Sequence, residues 1–175
     1  MNLPKKQQLS TYLLSILLLS LFNFATCKYS FNDTSPIPIE VKTFRVNYFE
    51  NKASYVNPQL SPQLTEKVKL KIIGTTRLHQ TNDDNADYDI SGYVSQYSTS
   101  TISISGANSS GNRLTVGFHL VFKNNLDEKK NFEADVMRTF DFDANISLSQ
   151  AEAGLTSDIV KNLTDDIFNK IFSNW

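Results

Sequence analysis

Cysteine is almost missing: the 175 residues hold one, Cys27. A single thiol cannot close an internal disulfide, and it cannot furnish a zinc site of the usual multi-cysteine kind. Histidine is nearly as scarce, with His79 and His119 forty positions apart. No Gly-x-Ser-x-Gly, no His-Glu-x-x-His and no Walker loop occurs, so the usual marks of esterases, zinc proteases and nucleotide-binding proteins are lacking. The acidic pairs Asp83-Asp84 and Asp165-Asp166, with Asp141 and Asp143, lie in expected turns or beside helices, where exposed carboxylates are routine. No motif calls for a cofactor or a metal, and no enzyme is expected. Asp83, Asn85 and Asp87 alternate as in a calcium loop, but Tyr88 stands where that loop needs Gly and Val94 where it needs Glu. Charge of one sign is also missing: 17 Lys and Arg face 18 Asp and Glu. That balance argues against a general nucleic-acid binder.

One long apolar run is present, at residues 12–24, Tyr-Leu-Leu-Ser-Ile-Leu-Leu-Leu-Ser-Leu-Phe-Asn-Phe. Lys5 and Lys6 precede it, and Ala25, Thr26 and Cys27 follow. A basic start, an apolar stretch and small residues after it predict a secretory signal peptide over residues 1–26. Thirteen residues rise about 20 Å as a helix, short of a hydrocarbon core of roughly 30 Å. A permanent membrane-spanning helix is therefore not expected. Phe24-Ala25-Thr26-Cys27 resembles a bacterial lipobox, whose cysteine is acylated and becomes the first mature residue. Lipidation of Cys27 gives an otherwise idle thiol a use; conventional cleavage near Ala25 is the alternative. More than one acyl chain makes such attachment lasting. Loss of Lys5 and Lys6 leaves fifteen basic against eighteen acidic residues in the mature chain. The remaining 149 residues are long enough for one domain with a sound core. Four Asn-x-Ser/Thr triplets, at Asn32, Asn108, Asn145 and Asn162, are close to the number that 17 Asn would meet by chance and carry no weight.

Residues 27–38 read as an extended tether, because Pro36 and Pro38 oppose a helix. Residues 39–49 read as the first strand. Its apolar phase changes midway, from Ile37, Ile39 and Val41 to Phe44, Val46 and Tyr48. One face cannot bury both sets, so a bulge or sharp bend is expected at Lys42-Thr43. Ser61 and Pro62 suggest the N-cap and first position of a helix. Leu60, Leu64, Val68 and Ile72 form its stripe, and Gly74 its stop. Lys67, Lys69 and Lys71 interleave with that stripe; they suit either phosphate contact or a solvated helix face. Residues 76–80 fit a short edge strand. Residues 86–97 alternate with period two, and Ile102 and Ile104 extend the phase. Residues 106–112 read as a loop of Ser, Asn and Gly.

Leu114, Val116, Phe118, Leu120 and Phe122 alternate with polar residues, and so do Phe132, Ala134, Val136, Phe140 and Phe142. Together they predict an antiparallel hairpin with one apolar face. Arg138 interrupts that face and suggests either a sheet edge or a partner contact. Ser149 and Glu152 suggest a capping box before a last helix striped by Leu155, Ile159, Leu163, Ile167 and Ile171, with Val160 and Phe168 widening the stripe and Trp175 beside it. The order β-α-β-β-β-α predicts an α+β fold: a two-layer sandwich of about four mixed or antiparallel strands with both helices on one face.

Several stretches together carry a resemblance. They are Tyr29-Ser30-Phe31; the strand from Val41 to Phe49; Val56-Asn57-Pro58 and Ser61, with Leu64-Thr65-Glu66; Asp127-Glu128-Lys129-Lys130 before Phe132-Glu133; Phe140-Asp141-Phe142-Asp143; and Asp165-Asp166-Ile167-Phe168-Asn169-Lys170 with Asn174-Trp175. In order and spacing the chain resembles the LptE-type lipopolysaccharide-assembly lipoproteins in their Bacteroidetes form, over nearly all of residues 39–175. It departs in the single residue, Lys28, between Cys27 and Tyr29, a shorter gap than the family's usual one. The resemblance implies a lipid-anchored, periplasm-facing protein of the Gram-negative outer membrane. Its partners would be an LptD-type β-barrel, whose lumen it plugs, and lipopolysaccharide. Lys67, Lys69, Lys71 and Arg77 are the candidate contacts to lipopolysaccharide phosphates. Two alternatives stay open: a lipoprotein that binds a small apolar ligand between sheet and helices, and an unrelated exported scaffold protein.

Overall fold

In the computed structural model of the chain the described residues are 37–104 and 109–173. Internal contacts divide the chain after Asp33, and all the described residues lie in the second unit, Thr34–Trp175. The expected signal segment, Cys27, most of the tether and Trp175 lie outside them. In chain order the elements are β1 (Thr43–Val46), β2 (Glu50–Asn51), α1 (Leu60–Thr75), β3 (His79–Gln80), β4 (Tyr88–Ile104), β5 (Ser109–Asn124), a 3-10 turn (Glu128–Lys130), β6 (Phe132–Asp143) and α2 (Leu148–Phe172). The strands run in the order β3-β1-β4-β5-β6, and β2 pairs with β4 beyond β1. β1 is parallel to β3 and β4, and β4, β5 and β6 form an antiparallel meander. The fold is the expected α+β sandwich. Among the described residues its sheet has six strands rather than four: β3 falls within the short edge strand expected at residues 76–80, and β2, two residues long, is too short to leave a periodic signal.

The apolar alternation has the effect its period demands. Leu114, Val116, Phe118 and Leu120 on β5 are fully buried and share one cluster with Phe44, Ile90 and Val94 from β1 and β4. Leu60, Leu64, Val68 and Ile72 of α1 enter the same cluster, as do Ile159, Leu163, Ile167 and Phe172 of α2. Both helices therefore cover one face. Each large apolar side chain so buried contributes roughly 1.5–3 kcal/mol, which makes this cluster the main source of stability. The opposite face of the sheet carries Thr115, His119 and Lys123, and is polar and partly exposed.

Several local expectations shift. The first strand begins at Thr43, so the change of phase falls at Lys42-Thr43 but precedes the strand instead of bulging it. Two successive backbone N–H groups there, of Lys42 and Thr43, donate to Asp87 Oδ2 at 2.8 and 2.9 Å. A second change follows, since Phe49 is fully buried whereas Tyr48 is 61% exposed. Helix α1 starts one residue before the expected cap. Ser61 is buried, and its hydroxyl has no hydrogen-bond partner among the described residues; Asn57 Oδ1 instead accepts from the N–H of Gln59 at 2.9 Å. Pro62 then sits in the first turn, where N–H groups lack helical partners anyway. The helix runs through Gly74 to Thr75. In α2 the capping box is Ser147 with Gln150, two residues earlier than expected.

The largest shift lies in β4. Val94 faces Phe118 and Gln96 faces Gly117, which leaves Ser95 as an extra residue. This bulge reverses the strand's phase. Tyr97 is then buried, while Ile102 moves off the core face and opposes Gly111. Residues 109–112, expected in a loop, pair with β4 as the start of β5. Arg138 does lie at a sheet edge, since β6 is the last strand. There it grips Asp166 of α2 through Nε and Nη2, both at 2.5 Å.

Candidate functional site

The four basic residues singled out in the sequence have different surroundings. Lys67 is exposed on α1. It lines a groove of about 510 Å³ between the outer sides of α1 and α2, together with Glu66, Leu70, Asp158, Val160 and Lys161. Lys69 is partly shielded and lies 3.9 Å from Glu66. Lys71 pairs with Asp165 at 3.1 Å and sits 5.5 Å above the Phe168 ring. Arg77 lies past the helix end and donates to three backbone oxygens, of Val41 at 2.8 Å, Ile37 at 3.0 Å and Pro38 at 2.6 Å. Arg77 thus clamps the segment leading into β1. The fold brings Lys67 together with Lys161, which the sequence reading did not include; those residues lie on different helices, and spacing alone does not join them.

On the polar face of the sheet, His119 Nδ1 lies 2.8 Å from Asp135 Oδ1 and Nε2 lies 3.2 Å from Glu133 Oε2. The hydrogen bond to Asp135 is the chief cause that raises the imidazole pKa; burial opposes it, and Glu133 adds to it. The Tyr93 ring stands 5.0 Å from His119, and Lys52 Nζ stands 4.4 Å above Tyr93. Near β1, Arg45 holds Asp89 through Nε and Nη2 at 3.0 and 3.2 Å, and it also bonds Asp84. Asp87 has its carboxyl held below the usual range: burial works against this, but the N–H groups of Lys42 and Thr43 and the Thr43 hydroxyl outweigh it. The acidic run that mimicked a calcium loop therefore serves β1. Among the described residues no group of three or more His, Cys, Asp or Glu is set to hold a metal ion.

A third cluster joins the loop before α1 to α2. Tyr97 Oη donates to Glu152 Oε1 at 2.8 Å and accepts from Asn57 Nδ2 at 3.3 Å. Tyr55 stacks on Tyr97 at 5.5 Å and bonds Glu152 Oε2 at 3.2 Å. Burial, above all, pushes the Tyr97 phenol up. Between sheet and helices Phe44, Phe49, Phe118, Leu60 and Leu64 are fully buried, so the groove lies outside the core. Among the described residues no helix is long and apolar enough to cross a membrane.

Both imidazole nitrogens of His119 are engaged by carboxylates, and the groove sets Lys67 and Lys161 among Glu66, Asp158, Leu70 and Val160. The class these elements define is a module built as a one-faced α+β sandwich. The particular family follows from the sequence of that module. Residues 41–171 match the family LptE, described as lipopolysaccharide-assembly, and the chain belongs to that family of outer-membrane assembly lipoproteins. No curated protein matches the chain. Among solved structures, the minor lipoprotein from Acinetobacter baumannii is similar at 14% identity and a TM-score of 0.47, over 77% of this chain and 98% of that one. The rare lipoprotein B from Shewanella oneidensis is similar at 15% identity and a TM-score of 0.47, over 73% and 92%. A lipoprotein B from Nitrosomonas europaea is similar at 12% identity and 0.49, over 75% and 79%. Likenesses of this strength add nothing on function.

Proposed function

We propose that the chain is a lipid-anchored, non-enzymatic partner and plug of an LptD-type β-barrel, assisting delivery of lipopolysaccharide to the cell surface. On this reading residues 1–26 are removed, Cys27 carries the acyl chains, and residues 27–38 tether the domain of residues 39–175 on the periplasmic side of the outer membrane. The observation that carries it is the family match over residues 41–171, which spans nearly all of the described domain. The lumens of some outer-membrane barrels are plugged, and a folded module of this kind would fill one by its shape. The test is purification of the tagged chain from detergent-solubilised outer membranes, with intact-mass measurement of the mature form. Co-purification of an LptD-type barrel and an acylated Cys27 are expected. A free thiol and no barrel would overturn the reading.

For lipopolysaccharide phosphates the candidates are Lys67, Lys69, Lys71 and Arg77. Lys67 is favoured among them, because it lines the groove and makes no ion pair among the described residues. Lys67→Glu should weaken binding of purified lipopolysaccharide about five-fold, the equivalent of about 1 kcal/mol for an exposed ionic contact. Unchanged binding removes Lys67 from the site. Arg77→Glu should instead lower stability, since three backbone carbonyls lose their donor.

A further inference from the structure

Strand β4 uses its outer side for only part of its length. β1 pairs with it at residues 88–90 and β2 at 93–94, and the N–H of Lys52 bonds the Val94 carbonyl at 2.9 Å. From Gln96 to Ile102 it pairs with β5 alone, and among the described residues no other strand lies beside it. Ser98, Thr99, Ser100 and Thr101 are exposed. In an antiparallel ladder the backbone groups of alternate residues point away from the paired neighbour. Roughly 23 Å of strand, at about 3.3 Å per residue, thus offers donors and acceptors to whatever lies alongside.

The other two edges of the sheet are guarded. β3 is two residues long, and β6 carries Glu133, Asp135, Arg138, Asp141 and Asp143. Short strands and charges are the ordinary means of keeping an edge from pairing. Residues 96–112 contain no charged residue and no proline. Among the described residues only this edge lacks both protections, and its chemistry selects an extended peptide rather than a small molecule or a helix.

We propose that residues 96–102 receive an extended segment of the barrel partner as an added strand. The proposal rests on the barrel reading given above. A second copy of this chain is the poorer occupant. Seven edge residues fall far short of the roughly 20–30 per side of a stable interface, so the edge suits a partner also held by other contacts.

The test uses the full chain in its own outer membranes, with a photo-crosslinking phenylalanine derivative at Ser98 or Ser100. Adducts with the barrel, identified by mass, are expected. Thr101→Pro, which deletes a backbone donor, and Ser100→Lys, which charges the edge, should each reduce the Ser98 adduct about five-fold. If Thr101→Pro fails to fold, Ser100→Lys decides alone. Adducts only between copies of this chain, or none while the unaltered chain still co-purifies with the barrel, overturn the edge proposal and leave the barrel reading intact. Loss of co-purification from the unaltered chain sinks both.

Discussion

Gly92 is a seat for an aromatic ring, and filling it should unsettle the core. A Cβ at this position would lie 2.3 Å from the carbonyl oxygen of His119 and 2.6 Å from Cζ of Phe118. The first contact is with backbone of the neighbouring strand, so no rotamer change relieves it. Strands β4 and β5 must part locally, and the Phe118 ring must leave. That ring meets Phe49 edge-on, with centroids 4.8 Å apart and planes at 67°. Phe49 in turn donates its N–H to Thr65 Oγ1 of α1 at 3.0 Å, so the disturbance reaches the helix. Overpacking a core costs about 1–3 kcal/mol, and losing an aromatic pair adds about 0.5–1.5 kcal/mol. Gly92→Ala should therefore destabilise by roughly 2–4 kcal/mol. The matched control is Gly154→Ala on α2, where an added Cβ meets nothing within 4 Å. There the helix gains about 0.5–1 kcal/mol. Urea unfolding of the purified chain measures both. The reasoning fails if the two variants shift the midpoint in the same direction, or if Gly92→Ala leaves it unmoved.

Two further outcomes follow from charged contacts. His119 binds its proton more tightly in the folded state, chiefly through Asp135; the stabilisation is whole below about pH 6.5 and disappears as pH rises through the higher folded-state value. The stability difference between the wild type and His119→Gln should thus shrink on going from about pH 5.5 to about pH 8.5; an imidazole NMR midpoint at or below the ordinary value refutes it. Arg138 and Asp166, with side chains 50% and 19% exposed, should show a coupling of about 0.5–1 kcal/mol in a double-mutant cycle with Arg138→Gln and Asp166→Asn. A coupling indistinguishable from zero would make the pair an ornament of the surface.

The sequence displayed this fold wherever one face of an element is wet and the other dry. The β5 alternation and the α1 and α2 stripes are such places, and each lies as its period demanded. Legibility ended where a local choice depended on a distant residue. Ser147-Leu148-Ser149-Gln150 and Ser149-Gln150-Ala151-Glu152 are overlapping capping patterns; the first is used, and Leu148 then packs against the core while Ala151 is buried. The bulge at Ser95 left no local mark. Its sign is Gly117 on the next strand, where an added Cβ would stand 2.9 Å from Ser95 Oγ. Without that bulge Ile102 reads as a core residue; with it, Ile102 covers Gly111, within 3.3 Å of where a Cβ would be.

The basic candidates teach the same lesson with a functional consequence. Close spacing in the sequence suggested one cationic patch, yet a cation's availability depends on what else the fold sets against it. The carbonyls that hold Arg77 belong to residues 36 to 40 positions away, and the carboxylate that holds Lys71 lies 94 away. Neither is visible from spacing. Binding a phosphate through Arg77 or Lys71 would first require breaking a bond to the chain itself, and the net gain would shrink accordingly. Among the described residues Lys67 has no ion pair to break, and the uncharged strand edge at residues 96–102 has no neighbouring strand to displace. Recognition by this module should therefore concentrate on the groove beside Lys67 and on the strand edge at residues 96–102, rather than on its most densely charged stretches.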